Sequence, residues 1–275
     1  LVYNREELRT TVSRGLELSL THQCLIEESI LGWEELEVEV VRDKKNQMIA
    51  VCFIENIDAV GVHTGDSFCT APFLTIDKDL ERRLKEQAFK IVENIGVIGG
   101  TNVQFAYNRK EDRIAIIEIN PRTSRSSALA SKATGFPIAL VSAKLAAGMS
   151  LDELPYWRDG SLEKYSPDGD YMVMKFARWA FEKFNGVSDS LGTQMKAVGE
   201  VMSIGKTFKE TFQKAIRALE NGRSGLGFAK DFHKKSVDEL CDALKVANSE
   251  RYFMLYEAIR NGAEYPISLD EALEV

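Results

Sequence analysis

The most informative feature of this sequence is an apolar strand that is followed directly by a proline. Residues 116–120, Ile-Ile-Glu-Ile-Asn, place apolar side chains around one carboxylate and predict a buried strand. Pro121 cannot donate a hydrogen bond to a neighbouring strand, so we expect the strand to end there. Side chains two residues apart project from the same face of a strand, and Glu118 and Asn120 are therefore predicted to lie side by side.

Two arginines, Arg122 and Arg125, follow this strand directly. A buried carboxylate beside a carboxamide is costly unless a cation satisfies it. Oxygen ligands from Glu and Asn suit Mg²⁺, which takes few protein ligands and keeps substrate phosphates in the rest of its shell. The arginines would then face a transferring phosphoryl group or an anionic acceptor. The alternative, left open by these residues alone, is a salt bridge at the strand end between Glu118 and an arginine.

Composition narrows the class of protein. The chain has 275 residues, 44% of them hydrophobic, and a formal net charge of −7, which allows one large or two modest domains. The acidic balance gives no support to nucleic-acid binding, and we expect neither a membrane span nor a signal peptide. Four cysteines without a CxxC pair predict reduced, structural thiols in a cytoplasmic protein rather than a zinc site. These cysteines are Cys24, Cys52, Cys69 and Cys241.

Hydrophobic periodicity predicts antiparallel strands with interspersed helices over the first 120 or so residues, and hence an α+β fold. The predicted elements are a helix from an Asn4–Glu7 capping box to about Gly15, a strand at 24–28, a hairpin of a half-exposed strand at 36–42 and a strand at 48–55, a helix at 78–95 stopped by Gly96, and a hairpin of strands at 103–107 and 113–119.

The remainder of the chain becomes increasingly helical. The predicted elements are two helical pieces within 126–148 broken at 135–137, a polar loop at 155–169, strands at 171–176 and 199–204, a helix at 207–221, a glycine-containing linker at 222–227, amphipathic helices at 236–245 and 249–261, and the start of a further helix at 269–273.

Three further features of the sequence belong with the strand at 116–120 and the arginines that follow it. Gln104 lies on the strand that the hairpin pairs with the strand of Glu118, so its carboxamide oxygen can reach the same site. Residues 56–67 form a polar, glycine-punctuated loop after a strand, where carbonyls and short polar side chains can hold a cation or a ribose. Glu28 and Glu35 flank a point where a strand gives way to a loop.

Three motifs carry a resemblance to a known family. They are Glu-Ile-Asn-Pro-Arg-Thr-Ser-Arg-Ser-Ser-Ala-Leu-Ala-Ser-Lys-Ala-Thr-Gly at 118–135, Gly-Val-His-Thr-Gly-Asp-Ser at 61–67, and Gln-Met-Lys-Ala-Val-Gly-Glu-Val-Met at 194–202. Together they resemble the large subunit of carbamoyl phosphate synthetase, and more narrowly its first, carboxyphosphate-forming ATP-grasp half. The resemblance implies a partial ATP-grasp domain over residues 1–227, an antiparallel sheet with flanking helices, followed by the truncated, all-helical beginning of an oligomerisation domain over residues 228–275.

The resemblance also implies roles for individual residues. The side chains implied to hold the Mg²⁺ or Mn²⁺ ions that bridge the ATP phosphates are Gln104, Glu118 and Asn120. Those implied to face the transferred phosphoryl group and the bicarbonate are Arg122 and Arg125, with Asn120 beside them. Those implied to contact ATP on its adenosine side are Glu28, Ile30, Glu35, Val62 and His63. Those implied to surround a potassium ion are Glu35, Asn56, Asp58, Ala59, Val62 and Ser67.

The implied activity is that of an ATP-dependent ligase. Bicarbonate attacks the γ-phosphoryl group of ATP and gives carboxyphosphate and ADP. Ammonia from a glutaminase small subunit converts carboxyphosphate to carbamate, and a second ATP-grasp half of the parent chain phosphorylates the carbamate. The family resemblance places this chemistry in arginine and pyrimidine biosynthesis. Because the chain opens without Met and lacks the family's glycine-rich loop, we expect a fragment, a possible homo-oligomer, that turns over little or no substrate alone.

Several simpler interpretations remain open from the sequence. His63 could be a turn histidine, Glu35 could belong to a solvated acidic face, and Arg125 could cap the helix that follows it. For the whole chain, one alternative is a non-catalytic assembly module whose helices at 233–275 drive association. Another is a different bicarbonate- or carboxylate-activating ATP-grasp ligase of the biotin carboxylase type.

Overall fold

A computed structural model describes residues 1–155, 169–183, 186–228 and 232–263. The chain divides into two compact units, residues 1–31 and the residues from 32 onward. The first unit contains helix α1, Arg5–Leu18. Asn4 caps it, because its Oδ1 accepts hydrogen bonds from the backbone N–H groups of Glu6 and Glu7 at 3.1 and 2.9 Å. The predicted helix is thus confirmed and runs beyond Gly15.

The strand predicted at 24–28 is wrong. Residues 23–30 form neither helix nor strand, and their side chains are exposed except for the half-buried Ile30. A strand needs a partner to satisfy its backbone groups, and α1 is the one regular element of this unit. Apolar periodicity alone could not reveal that this partner is missing.

The second unit is built on a seven-stranded antiparallel sheet of order β5-β4-β1-β2-β3-β6-β7. Its strands are β1 (Glu34–Arg42), β2 (Met48–Asn56), β3 (Cys69–Ala71), β4 (Gly99–Asn108), β5 (Arg113–Asn120), β6 (Met172–Arg178) and β7 (Gly199–Gly205). Both predicted hairpins are confirmed, as β1 with β2 and β4 with β5. The short strand β3 was not predicted, and it joins the sheet together by pairing with both β2 and β6.

Six α-helices accompany the sheet in the described part of this unit. They are α2 (Lys78–Ile95), α3 (Arg125–Thr134), α4 (Ile138–Ala146), α5 (Phe208–Ala218), α6 (Val237–Leu244) and α7 (Arg251–Arg260). Each of them was predicted within a few residues. The predicted loop at 155–169 falls mostly, and the predicted helix at 269–273 entirely, outside the described residues. None of the described helices has the length and apolar character needed to cross a membrane.

Sequence signals at both ends explain why α2 forms where it does. Asp77 Oδ1 accepts a hydrogen bond from the N–H of Leu80 at 2.8 Å and caps the first turn. Gly96 ends the helix with a φ of 76°, a left-handed conformation that glycine adopts without steric cost. The buried side of the helix packs against β1, where Leu84 belongs to the same apolar cluster as Leu36 and Val38.

Two other apolar clusters complete the core. Leu129 of α3 and Val141 of α4 pack with strands β2, β3 and β6. Phe212 of α5 and Phe253 of α7 pack with Phe176 of β6. The division into domains at residue 227 stays a prediction, although Phe253 lies beyond that point and shares the core of the sheet.

The predicted burial of two strands is wrong in opposite directions. β1 was expected to be half exposed, yet Glu37 and Glu39 are both 0% exposed. β5 was expected to be buried, yet Ile116 and Ile117 are 53% and 37% exposed. The reason is their place in the sheet, since β1 lies in the interior and β5 forms an edge. The four cysteines are free, as expected.

Candidate active site

A cleft of about 410 Å³ opens beside strands β1, β4, β5 and β6 and the first turn of α3. Most of the residues that line it are polar by type, and both acidic and basic side chains are among them. The lining residues are Glu35, Val60, Gly61, Val62, His63, Thr64, Gly65, Asn102, Gln104, Ile117, Glu118, Asn120, Arg122, Ser124, Arg125, Ser126, Lys175, Thr193 and Met195. Most residues that the sequence singled out therefore meet in one place.

The hairpin of β4 and β5 brings three oxygen-bearing side chains together. Gln104 is the register partner of Glu118, and a bulge follows directly after Gln104. Asn120 donates a hydrogen bond from Nδ2 to Glu118 Oε1 at 2.8 Å. Pro121 ends the strand at Asn120, as predicted. One carboxylate and two carboxamides consequently line the same cleft.

This set of donors fits a hard divalent cation such as Mg²⁺. Among the described residues, no group of three or more His, Cys, Asp or Glu side chains could hold a metal ion. Because Mg²⁺ binds few protein groups and keeps substrate phosphates in its shell, an ion at Gln104, Glu118 and Asn120 would take its remaining ligands from a bound substrate and water. The metal assignment of these three residues stays a prediction.

Arg122 and Arg125 lie at the end of β5 and the start of α3. Arg122 donates from Nη2 to Asn120 Oδ1 at 3.2 Å, whereas Glu118 accepts its hydrogen bond from Asn120. Ser124 caps α3 by accepting a hydrogen bond from the N–H of Ser127 at 3.2 Å. Because Ser124 fills the cap, the Arg125 side chain is left to line the cleft.

A buried carboxylate and a buried ammonium form another part of the cleft wall. Glu35 Oε1 accepts a hydrogen bond from Thr64 Oγ1 at 2.6 Å, and Lys175 donates from Nζ to the Thr64 carbonyl at 2.8 Å. Burial raises the pKa of Glu35 from 4.5 to about 7, although the Thr64 hydroxyl opposes that shift. Glu35 therefore does not belong to a solvated acidic face. Lys175 was not predicted, although the sequence shows it as a lone charge inside an apolar strand.

The predicted loop supplies the cleft wall at Val62 and His63. The His63 N–H donates to the Gly192 carbonyl at 2.8 Å, and its ring Nδ1 accepts from the N–H of Gly65 at 2.9 Å. A Cβ at Gly65 would lie 2.7 Å from the sulfur of Met195, so only glycine fits there without a shift. His63 is held in a turn, as the simple interpretation had it, and also lines the cleft.

The side chains predicted to surround potassium lie mainly outside the cleft lining. Asn56 donates from Nδ2 to Glu37 Oε1 at 2.9 Å, and Ser67 donates from Oγ to the Phe68 carbonyl at 3.0 Å. The Asp58 carboxylate forms an ion pair with Arg251 at 2.7 Å. Glu35 and Val62 do line the cleft, and the potassium site stays a prediction.

The two remaining predicted contacts belong to the first unit. Glu28 is exposed and Ile30 is half-buried within residues 1–31. Their role on the adenosine side of ATP stays a prediction.

A buried polar network lies beneath the cleft. Asn102 donates from Nδ2 to Glu37 Oε2 at 2.8 Å and to Glu39 Oε1 at 2.9 Å. Ser126 and Ser127, in the first turn of α3, donate to the same two carboxylates at 2.7 and 3.0 Å. Burial raises the pKa of Glu39 from 4.5 to about 7. The network ties the start of α3, and with it the arginine side of the cleft, to β1.

Comparison with known proteins gives the family. Residues 1–154 match the model of the ATP binding domain of the carbamoyl-phosphate synthase L chain. The chain belongs to that family. Residues 200–269 match the model of the oligomerisation domain of the carbamoyl-phosphate synthetase large chain. The family predicted from the sequence motifs is confirmed.

Curated relatives agree with this assignment along the whole chain. The chain is 47% identical over 279 residues to the carbamoyl phosphate synthase large chain of Archaeoglobus fulgidus, covering 100% of this chain and 25% of the relative. It is 45% identical to the N-terminal section of the large chain of Methanopyrus kandleri, covering 99% of this chain and 48% of the relative. The chain thus spans a quarter to a half of the length of these relatives.

Solved structures show the fold to be shared with biotin carboxylases. Biotin carboxylase from Campylobacter jejuni superposes with a TM-score of 0.59 at 14% identity, covering 95% of this chain and 59% of that one. The biotin carboxylase domain of the Hydrogenobacter thermophilus 2-oxoglutarate carboxylase, in complex with MgADP and bicarbonate, gives a TM-score of 0.58 at 15% identity, covering 98% and 58%. The predicted ATP-grasp fold is confirmed.

Proposed function

We propose that this chain provides a Mg-ATP site at which bicarbonate is phosphorylated to carboxyphosphate, as part of a glutamine-hydrolysing carbamoyl phosphate synthetase. The observation that carries the proposal is the cleft in which Gln104, Glu118 and Asn120 lie beside Arg122 and Arg125. The large-chain relatives support the reaction class. A biotin carboxylase domain of similar fold, solved in complex with MgADP and bicarbonate, supports the choice of ligands.

The acidic side of the cleft would bind the phosphate end of ATP. Gln104, Glu118 and Asn120 would hold the Mg²⁺ or Mn²⁺ ion that accompanies the nucleotide. Such an ion, when bound, neutralises charge on the β- and γ-phosphates. Glu35 would bind the ribose, and its raised pKa favours hydrogen bonding to a hydroxyl over a fixed negative charge.

The basic side of the cleft would bind the acceptor. The guanidinium groups of Arg122 and Arg125 present planar donors that match carboxylate and phosphate oxygens. They would hold bicarbonate in line with the γ-phosphorus. A bicarbonate oxygen then forms a bond to phosphorus while the bond to the β-phosphate oxygen breaks, and ADP leaves. Phosphoryl transfer of this kind asks for positioning and charge stabilisation and needs no nucleophilic side chain.

The later steps would require other parts of the enzyme. Ammonia from a glutaminase subunit would attack the carbon of carboxyphosphate and release phosphate. The carbamate produced would be phosphorylated by a second ATP-grasp half. Because the chain spans 25% of the Archaeoglobus large chain, we expect little or no complete turnover from these 275 residues alone.

Release of ADP with and without bicarbonate tests this function directly. The assay uses the full-length gene product that contains this chain, with Glu118→Gln as the matched variant. Bicarbonate should stimulate ADP release, and the substitution should abolish the stimulation. ADP release that ignores both bicarbonate and the substitution would contradict the proposal.

A second candidate function is self-association through the C-terminal helices. It is favoured by the match of residues 200–269 to an oligomerisation domain and by the exposure of Ile259 on α7, which is 55% exposed. Light scattering over a concentration series should show association that Ile259→Asp weakens. A mass equal to the monomer at every concentration would exclude this role.

A further inference from the structure

A buried arginine on α7 holds the base of the loop that forms one wall of the cleft. We call residues 57–68 the cleft loop. Arg251 donates from Nε to Asp58 Oδ1 at 2.9 Å and from Nη2 to Asp58 Oδ2 at 2.7 Å. The two side chains are only 9% and 11% exposed. Paired hydrogen bonds of this kind fix both the distance and the plane of the two groups.

The same carboxylate connects the two ends of the cleft loop. Asp58 Oδ2 also accepts a hydrogen bond from the N–H of Phe68 at 3.3 Å and one from the Tyr252 hydroxyl at 2.8 Å. The N–H of Asp58 in turn donates to Ser67 Oγ at 3.3 Å. Removing the arginine would leave a buried carboxylate without its cation at the point where both loop ends meet.

A second route joins Arg251 to the cleft loop. Its guanidinium carbon lies 5.5 Å from the centre of the Trp179 ring. Trp179 donates from Nε1 to Asp66 Oδ1 at 3.0 Å. The buried Asp66 carboxylate also accepts from the N–H groups of Lys196 and Ala197 at 2.8 and 2.6 Å. Arg251 therefore contacts Asp58 at the start of the loop directly, and it is connected to Asp66 near the end of the loop through Trp179.

The middle of the cleft loop forms the cleft wall. Residues 60–65 line the cleft, and Thr64 contacts both Glu35 and Lys175. From this geometry we infer that Arg251 is a positioning residue, which acts through Asp58 and Trp179 to hold the cleft loop in the shape that binds ATP. The inference rests on the proposed function for the identity of the ligand. Arg251 lies in the part that matches the oligomerisation model, so α7 links that segment to the nucleotide site.

Amide hydrogen exchange and MgATP binding of the full-length gene product test the inference together. In Arg251→Gln we expect the amides of the cleft loop to exchange about tenfold faster and the Kd for MgATP to rise about tenfold, while the amides of α2 stay unchanged. Arg251→Lys keeps the charge but loses the paired geometry, so its effect should be intermediate. The control Arg217→Gln removes an equal charge from an exposed position on α5 and should change neither quantity.

A double variant isolates the ion pair. If Asp58 is the main route, Asp58→Asn combined with Arg251→Gln should bind MgATP no more weakly than Arg251→Gln alone. Additive losses in the double variant would overturn the route through Asp58. Loop exchange and MgATP affinity that stay at wild-type values in a folded Arg251→Gln protein would overturn the inference.

Two further outcomes separate the inference from the proposed function. If the wild-type protein does not bind MgATP but Arg251→Gln still loosens the cleft loop, the proposed function fails and the positioning of the loop stands. If Arg251→Gln does not fold, Arg251→Lys decides the question. Faster exchange confined to the cleft loop would support the inference, and exchange raised equally in all elements would overturn it.

Discussion

Two strands of one sheet carry acidic residues in or beneath the cleft, and the two strands differ in how far they bury these carboxylates. On β1, in the interior of the sheet, the carboxylates of Glu37 and Glu39 are buried and accept hydrogen bonds from asparagine and serine side chains. On β5, at the edge, Glu118 is exposed to the cleft and accepts from Asn120. Interior carboxylates thus build the floor of the site, and the edge carboxylate is open to a ligand.

The alternation of residue types along a strand and the position of that strand in the sheet are therefore separate properties. Carboxylates alternating with apolar residues are typical of a half-exposed strand, and this is how β1 was interpreted. A buried carboxylate is costly unless hydrogen bonds satisfy it. The hydrogen-bond donors that satisfy Glu37 come from β2, β4 and α3, so the sequence pattern of β1 alone could not predict them.

The largest effect on stability is expected at the floor of the site. Glu37→Ala would remove the acceptor of three hydrogen bonds, from Asn56, Asn102 and Ser126, and would leave those donors buried. We expect the free energy of unfolding to fall by about 3 kcal/mol in urea denaturation. The control Glu86→Ala, at an exposed position of α2, should change it by no more than about 0.5 kcal/mol. Equal effects at the two positions would contradict the account.

The edge strand should show the reverse behaviour. Glu118→Gln keeps the shape of the side chain but removes its charge, so we expect the Kd for MgATP to rise about 100-fold in calorimetry with the full-length gene product. The free energy of unfolding should stay within about 0.5 kcal/mol of the wild-type value, since the residue is exposed. A stability loss as large as that of Glu37→Ala would erase the distinction between the two strands.

The stability of the protein should also depend on pH through Glu39 on β1. Burial raises the pKa of Glu39 from 4.5 to about 7, so between these values the folded protein binds more protons than the unfolded chain. The free energy of unfolding should therefore fall as pH rises from about 5 to 7, by up to about 3 kcal/mol for this one group. Glu39→Gln cannot titrate, and its unfolding in urea at pH 5 and pH 8 should lack that part of the fall. An unchanged slope would show that Glu39 titrates normally.

The smallest effect is expected for an apolar residue of the edge strand. Ile116 is 53% exposed, so Ile116→Thr should change the free energy of unfolding by no more than about 0.5 kcal/mol. Val38→Thr on β1 places a hydroxyl in a fully buried position and should cost about 2 kcal/mol. Thermal unfolding of both variants would measure the contrast. A larger loss at Ile116 would mean that β5 is covered in solution.

Local signals predicted much of the fold. Gly96 marked the end of α2, and Pro121 marked the end of β5. The hairpin of β4 and β5 was predicted as well, and with it the placement of Gln104 on the strand next to that of Glu118. These features depend on neighbouring residues, whose effects a sequence displays directly.

Features that depend on distant residues were missed. The role of Asp58 beside a potassium ion stays a prediction, but the pairing of its carboxylate with Arg251, 193 positions further along the chain, was not predicted. Lys175 joins the cleft only because the three-residue strand β3 brings β6 into the same sheet. The sequence could have predicted that Asn102 lies at the site, because Asn102 stands two residues before Gln104 on the same face of β4.

The transfer of oxygen from bicarbonate to phosphate tests the central claim most directly. The full-length gene product is supplied with MgATP and ¹⁸O-labelled bicarbonate, and the released phosphate is analysed by mass spectrometry. If bicarbonate attacks the γ-phosphorus, its oxygen stays on phosphorus when carboxyphosphate breaks at carbon. We expect the wild-type protein to release labelled phosphate, the Glu118→Gln variant to release none, and the Arg122→Gln variant to release much less. Unlabelled phosphate released at the same rate as ADP would show that water is the acceptor and would contradict the account.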